Sequence, residues 1–177
     1  WGAGAAISWG VGDFSARFAG QRAGVISTTF WMMVASLLFT SVYMLCVGEN
    51  FVFSYQGLPF LIAAGIGIAL ATLLFYEAIT TGPVSIASPI VACYPAIALP
   101  ISIGLGARPG LLEWAGMIIT LIGIWIASRY SPNFSSKDND KSKNNRVRRT
   151  AILAFSAATI FALAISSLDI AVDYYAP

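Results

Sequence analysis

The chain of 177 residues contains no histidine and only two cysteines, Cys46 and Cys93, which both lie within apolar runs. Without histidine, the common zinc sites and a Ser-His-Asp triad are excluded, and two isolated cysteines do not form a disulfide framework. Charge is also scarce, because charged residues make up 10% of the chain against about 25% in ordinary soluble domains. These absences exclude most hydrolases and argue against a soluble fold.

Long apolar stretches dominate instead, and 58% of the residues are hydrophobic. Six stretches have roughly the 17–25 residues of a transmembrane helix, and none shows the polar–apolar alternation of a barrel strand. They are Trp1–Phe18, Val25–Gly48, Leu58–Ile79, Pro83–Gly106, Leu111–Ser128 and Ala151–Leu168. We therefore predict an all-α integral membrane protein, a polytopic helical bundle with six spans. The first stretch follows no basic segment, so it is not predicted to be a cleaved signal peptide.

Half of the charged residues fall in one segment, 129–150, which holds seven basic and two acidic side chains. We interpret this segment as a solvated linker. Because cytoplasmic loops carry an excess of Lys and Arg, the linker and the Arg17/Arg22 turn are predicted to be cytoplasmic, in a protein of the cell membrane. A basic patch for nucleic acid or anionic lipid is the less favoured interpretation, and no nucleic-acid partner is expected. The expected partner of the spans is the lipid bilayer.

Prolines and small residues mark the third and fourth spans. Pro89, Pro95 and Pro100 each remove a backbone donor, so that Pro89, for example, leaves the Ser85 carbonyl unpaired. Such carbonyls are costly against lipid, which predicts that this face lies against protein or a wet cavity. In the third span, Ala63, Gly67 and Ala71 form one small-residue stripe, and Gly65, Ala69, Thr72 and Tyr76 form another. Stripes of this kind predict close helix packing, and the second also fits the border of a cavity.

Two carboxylates lie within the spans, Asp13 in the first and Glu77 near the inner end of the third. Intramembrane carboxylates are costly and therefore indicate function. The structural alternative is a pair between Asp13 and Arg17, which is four residues later on the same helical face. The predicted topology brings Glu77 to the level of Arg17 and Arg22, so we predict an ion pair between Glu77 and one of these arginines.

One enzymatic signal is present, since Gly10-Val11-Gly12-Asp13 resembles the GxGD element of intramembrane aspartyl proteases. That chemistry needs a second carboxylate sharing a proton with the first. The later candidate, Asp169, ends its span, and the Tyr-Asp element of those proteases is missing. An intramembrane protease is therefore kept as a minor alternative, and the protein is predicted not to be an enzyme.

Three parts of the sequence have a recognisable pattern: the end of the first span at 9–14, the block 76–90 around Tyr76-Glu77-Ala78-Ile79 and Thr81-Gly82-Pro83, and Tyr94-Pro95. This pattern resembles the EamA family of the drug/metabolite transporter superfamily over most of 1–128. One departure is Ala107-Arg108, where the family usually has a Glu-Arg pair. The resemblance implies two inverted five-span halves, so that 1–128 is the first repeat, 129–150 the linker and 151–177 the start of a truncated second repeat.

The resemblance also implies a secondary transporter that moves a small metabolite, such as an amino acid, by alternating access and without a cofactor. We expect a cavity between spans 1, 3, 4 and 6, with Trp9 and Tyr76 as aromatic walls and Asp13 as a polar or coupling group. The predicted substrate pathway comprises Trp9, Asp13, Thr72, Tyr76, Ser88, Pro89, Tyr94 and Pro95. A non-transporting membrane scaffold or assembly subunit is the main alternative, and a homodimer is kept open.

Overall fold

The computed structural model describes residues 2–48, 55–106, 108–129 and 141–175. All regular secondary structure in these ranges is α-helical, which confirms the predicted all-α class. The helices are α1 (Gly2–Ala23), α2 (Val25–Val47), α3 (Leu58–Thr81), α4 (Val84–Ala92), α5 (Tyr94–Gly104), α6 (Leu111–Arg129) and α7 (Lys141–Tyr175).

Four stretches of these helices are long and apolar enough to cross a membrane: Val25–Val47, Leu58–Thr81, Val84–Gly104 and Asn145–Tyr175. A shorter apolar helix covers Leu111–Ile126. Helix α1 has 22 residues but is not among the four, because Asp13, Arg17 and its glycines lower its hydropathy. A polytopic helical membrane protein is thus confirmed, whereas the count of six spans stays a prediction.

Helix α3 lies at the centre of the bundle, where it packs against α1, α2, α4 and α7. Helix α7 also contacts α4 and α5, and α6 packs against α4. The core is an apolar cluster of buried side chains contributed by four helices: Ala16 of α1, Phe75, Tyr76, Ala78 and Ile79 of α3, Ala87 and Val91 of α4, and Ala154 and Ala157 of α7. The first, third, fourth and sixth predicted spans therefore meet in one core.

The fourth predicted span is two helices instead of one, because the chain leaves the α-helix at Cys93. Pro95 lacks the N–H that would bond to the Val91 carbonyl, and its ring disfavours helical geometry in the residue before it. The backbone there tightens to bonds between residues three apart, from Cys93 N to Ile90 O (3.2 Å) and from Ala96 N to Cys93 O (2.9 Å). The break is midway along the span, since Cys93 is the tenth of the 21 residues in Val84–Gly104.

Helix α7 begins at Lys141, so the last ten residues of the predicted linker are helical. The rest of that linker, 130–140, lies outside the described residues. The helix has 35 residues and is about 52 Å long at about 1.5 Å per residue, which exceeds a hydrocarbon layer of about 30 Å. Its basic first turns therefore extend beyond the apolar span, and Arg146, Arg148 and Arg149 are exposed.

Candidate functional site

Helices α1 and α3 are held together near their carboxyl ends by a glycine contact. A Cβ added to Gly20 would lie 2.6 Å from Thr80 Cγ2, so only glycine allows this approach. Gln21 Nε2 also donates a hydrogen bond of 3.5 Å to the Thr80 carbonyl. Asp13 lies two turns before Gly20 in α1, and Tyr76 lies one turn before Thr80 in α3, so both are placed close to this interface. Two predicted pathway residues are thus brought together.

Asp13 has no protein counter-charge in the described part of the chain. No salt bridge joins it to Arg17, and no hydrogen bond to its carboxylate is formed among these residues. The side chain is half-buried and lies ten residues before the end of α1, a rise of about 15 Å. The structural alternative, a pair between Asp13 and Arg17, is therefore not what the structure shows.

Tyr76 is 2% exposed, and its hydroxyl donates a hydrogen bond of 2.9 Å to Met32 Sδ of α2. This side chain is held in the core between α1, α2 and α3. Trp9, the other predicted aromatic wall, is 66% exposed and lies one helical turn before Asp13. The hydroxyl of Thr72 donates to the Ile68 carbonyl at 2.7 Å, which leaves only its acceptor capacity for a solute.

The remaining pathway residues lie on both sides of the break in the fourth span, and all are half-buried: Ser88 and Pro89 in α4, Tyr94 and Pro95 in α5. The Tyr94 ring lies 6.1 Å from the Phe161 ring of α7, centroid to centroid. The hydroxyl of Ser85 was not among the predicted pathway residues, and it is buried without a hydrogen-bond partner in the described ranges. Pro89 also leaves the Ser85 carbonyl without its usual donor. A serine followed four residues later by a proline is the sequence pattern that could have indicated these two polar groups of Ser85.

The ion pair of Glu77 is with Arg149, at 3.0 Å between Oε1 and Nη2. The predicted contact of Glu77 with Arg17 or Arg22 is therefore corrected. Arg149 was assigned to the linker, but the early start of α7 places it beside the carboxyl end of α3. Because the Arg149 and Glu77 side chains are 66% and 33% exposed, this pair contributes only about 0–1 kcal/mol to stability.

The two carboxylates of the protease alternative lie at different levels along α3. Asp13 lies on α1 close to the level of Tyr76, since Gly20 of α1 contacts Thr80 of α3. Asp169 is exposed and lies five residues after Ala164 in α7. Helix α7 runs antiparallel to α3, and Ala164 contacts Gly67 of α3. Asp169 is therefore level with residue 62, and fourteen residues of α3 separate the two levels, about 21 Å. Two carboxylates that share a proton must be in direct contact, so Asp13 and Asp169 do not form a catalytic dyad here.

The all-helical fold, with four stretches long and apolar enough to cross a membrane, defines the class as a polytopic helical membrane protein. Residues 1–129 match the model of the EamA-like transporter family. Because the match covers most of the chain, the protein belongs to this family, as its sequence pattern predicted. No curated protein and no solved structure matches the chain.

Membership gives the chain a general role in transport across a membrane. The division into 1–128, 129–150 and 151–177 stays a prediction. The departure at Ala107-Arg108 involves one residue, Ala107, that lies outside the described residues.

Proposed function

We propose that the protein is a secondary transporter that moves a small metabolite, such as an amino acid, by alternating access. The observation that carries this proposal is the break at Cys93, in the middle of an apolar span. Discontinuous helices at mid-depth are where secondary transporters bind solutes, because the free backbone groups there must face protein, water or solute. Helix α4 packs against α3, α6 and α7, so the broken span is surrounded by protein on several sides.

The proposed pathway is bordered by α1, α3, the α4–α5 pair and α7. Asp13 is its polar or coupling group, and the indole of Trp9 and the ring of Tyr76 are its aromatic walls. Thr72 and Ser88 supply hydrogen-bonding oxygens. Pro89 and Pro95 make the wall movable, since neither can complete the helical hydrogen-bond ladder, and Tyr94 lines the same segment. No cofactor is required, and a homodimer is kept as one assembly of the chain.

Solute flux tests the proposal directly. We expect the full chain, reconstituted in lipid vesicles, to catalyse saturable counterflow of at least one compound from a panel of amino acids and small metabolites. Protein-free vesicles and vesicles with heat-unfolded protein are the controls. Folded protein that exchanges no member of the panel would favour the alternative of a non-transporting scaffold or assembly subunit.

We also propose that the protein lies in the cell membrane with residues 129–150 in the cytoplasm. The exposed Cys46, near the carboxyl end of α2, is then on the outer side. In a Cys93→Ser background, a membrane-impermeant maleimide is expected to label Cys46 on intact cells. An Arg148→Cys variant in a Cys46→Ser/Cys93→Ser background should be labelled only after permeabilisation. If Arg148→Cys is labelled on intact cells and native Cys46 is not, the linker lies outside the cell.

A further inference from the structure

Helices α3 and α7 are in close contact along the whole length of α3. Three glycines at the start, middle and end of α3 and its flanking turns face residues of α7, and Gly57 also faces the ring of Tyr175. The pairs are Gly57 with Tyr174, Gly67 with Ala164, and Gly82 with Thr150. A Cβ built on Gly67 or on Gly82 would lie 2.8 Å from the Cβ of its partner, closer than real Cβ atoms approach, and one built on Gly57 would lie 3.0 Å from Tyr174 Cβ. The backbones are therefore too near each other for a solute to pass between them.

The two helices keep one antiparallel register throughout. The ten residues from Gly57 to Gly67 are matched by the ten from Tyr174 back to Ala164. The next fifteen residues of the α3 side, to Gly82, are matched by fourteen of α7, to Thr150. This contact line covers 25 residues, or about 38 Å, which exceeds the hydrocarbon thickness of about 30 Å. Neither helix is broken within it, in contrast to the fourth span.

Further contacts join α3 and α7 near both ends. The rings of Phe60 and Tyr174 stack with centroids 6.0 Å apart and planes at 8°. At the other end, Glu77 and Arg149 form the ion pair of 3.0 Å. Between them, Ala164 contacts Gly67, and α7 has small side chains that are almost fully buried within the bundle: Ala154, Ala157, Ala158, Ala162, Ala164 and Ala171. Small residues allow helices in lipid to pack closely, so this interface gains dispersion contacts along its full length.

We propose that α3 and α7 form one rigid body throughout the transport cycle, and that the solute pathway opens away from their interface. This proposal rests on the transport function proposed above. Close-packed interfaces resist continuous deformation, so separating α3 from α7 would break contacts at every level of the membrane. Helix α5, by contrast, has no buried residue and follows the break at Cys93, where few backbone bonds oppose bending. Movement of α5 against the fixed pair therefore breaks much less packing than separation of α3 from α7.

Crosslinking in the full chain tests this proposal in a Cys46→Ser/Cys93→Ser background. Two disulfides are introduced, Gly57→Cys with Tyr174→Cys at one end and Gly82→Cys with Thr150→Cys at the other. We expect oxidised protein to keep about half or more of the uptake of the reduced protein, because a rigid body tolerates a bridge within it. Uptake that is abolished by oxidation and restored by reductant would overturn the proposal.

A bridge across a different interface provides the matched comparison. Tyr94→Cys and Phe161→Cys, joined by a bifunctional thiol reagent, link α5 to α7, where the native rings are 6.1 Å apart. We expect uptake by the bridged protein to be about tenfold or more below that of the same variant before the bridge is formed, since the bridge ties the moving helix to the fixed pair. If uptake is unchanged by the α5–α7 bridge and lost with the α3–α7 bridges, α3 and α7 are the helices that move apart, and the proposal is wrong.

A distance measured between α3 and α7 tests the proposal without substituting the glycines and without measuring solute flux. Ile66 of α3 and Leu163 of α7 are 65% and 53% exposed, so spin labels on Ile66→Cys and Leu163→Cys leave the interface intact. We expect one narrow distance distribution that is unchanged by saturating solute or by pH. A second population or a shifted distance would overturn the proposal. Should the parental protein exchange no solute at all, the transport proposal fails, while the label distance across the pH range still tests the rigid pair.

Discussion

Asp13→Asn is expected to lower solute uptake about tenfold or more while leaving the folded protein at least as stable as the parent. The carboxylate has no ion pair or hydrogen bond among the described residues, so replacing it with an amide of the same shape breaks no protein contact. Removing a poorly solvated charge from the middle of α1 does not destabilise the fold. Uptake into vesicles at equal protein density and thermal unfolding in detergent measure the two effects separately.

Asp169→Asn is the matched control, because Asp169 is exposed near the end of α7. It should transport at close to the parental rate. Parental uptake by Asp13→Asn would remove Asp13 from the pathway, and a large drop in its melting temperature would assign it a structural role. Cleavage of a membrane substrate that is lost in both variants would instead revive the protease alternative.

Gly67→Leu is expected to lower the free energy of unfolding by about 3 kcal/mol, at the upper end of the cost of overpacking a tightly packed core. Even a Cβ at this position would lie 2.8 Å from Ala164 Cβ and 3.6 Å from Ala164 Cα, so the α7 backbone would have to move. Thermal unfolding in detergent, followed by circular dichroism or by loss of monodisperse protein, measures the change.

Gly65→Leu provides the control within the same helix and only two residues away. Gly65 is exposed, and a Cβ added there meets no atom within 4 Å. Leucine is also a better helix former than glycine by roughly 0.5–1 kcal/mol, so this variant should be as stable as the parent or more stable. Equal destabilisation by Gly65→Leu and Gly67→Leu would show that the α3–α7 contact is not specific.

Much of the fold follows from hydropathy alone, because spans are set by the thickness of the bilayer. Helix α2 and helix α3 begin at the predicted residues, Val25 and Leu58, and end within a few residues of the predicted ends. The first span was predicted from the length of its stretch. Length alone does not take into account that Asp13 and the glycines lower the mean hydropathy of α1.

The position of the break in the fourth span did not follow from the sequence. Pro89, Pro95 and Pro100 all remove a backbone donor, yet Pro89 and Pro100 lie inside continuous helices and the chain leaves the helix before Pro95. Which proline interrupts a helix depends on the neighbours that satisfy the freed carbonyl. Helix α4 packs against α3, α6 and α7, so these surroundings come from other parts of the chain and not from the local sequence.

The partner of Glu77 was missed for a related reason. Local charge patterning favours arginines on neighbouring turns, whereas Arg149 is 72 residues away. It reaches Glu77 because α7 runs antiparallel to α3 in a fixed register, and that register depends on glycine and alanine contacts. Likewise, the contact of Tyr76 with Met32 depends on how α2 packs on α3, which no local pattern encodes.

The accessibility of Cys93 to water tests the central claim most directly, namely that the broken span borders an aqueous pathway. In the Cys46→Ser variant, Cys93 is the only thiol of the described sequence and lies at the break itself. We predict that a charged, membrane-impermeant methanethiosulfonate reagent modifies Cys93 and that the transported solute slows this reaction. If Cys93 reacts only with a lipid-soluble maleimide, at a rate that solute does not change, the break faces lipid and the proposed pathway is contradicted.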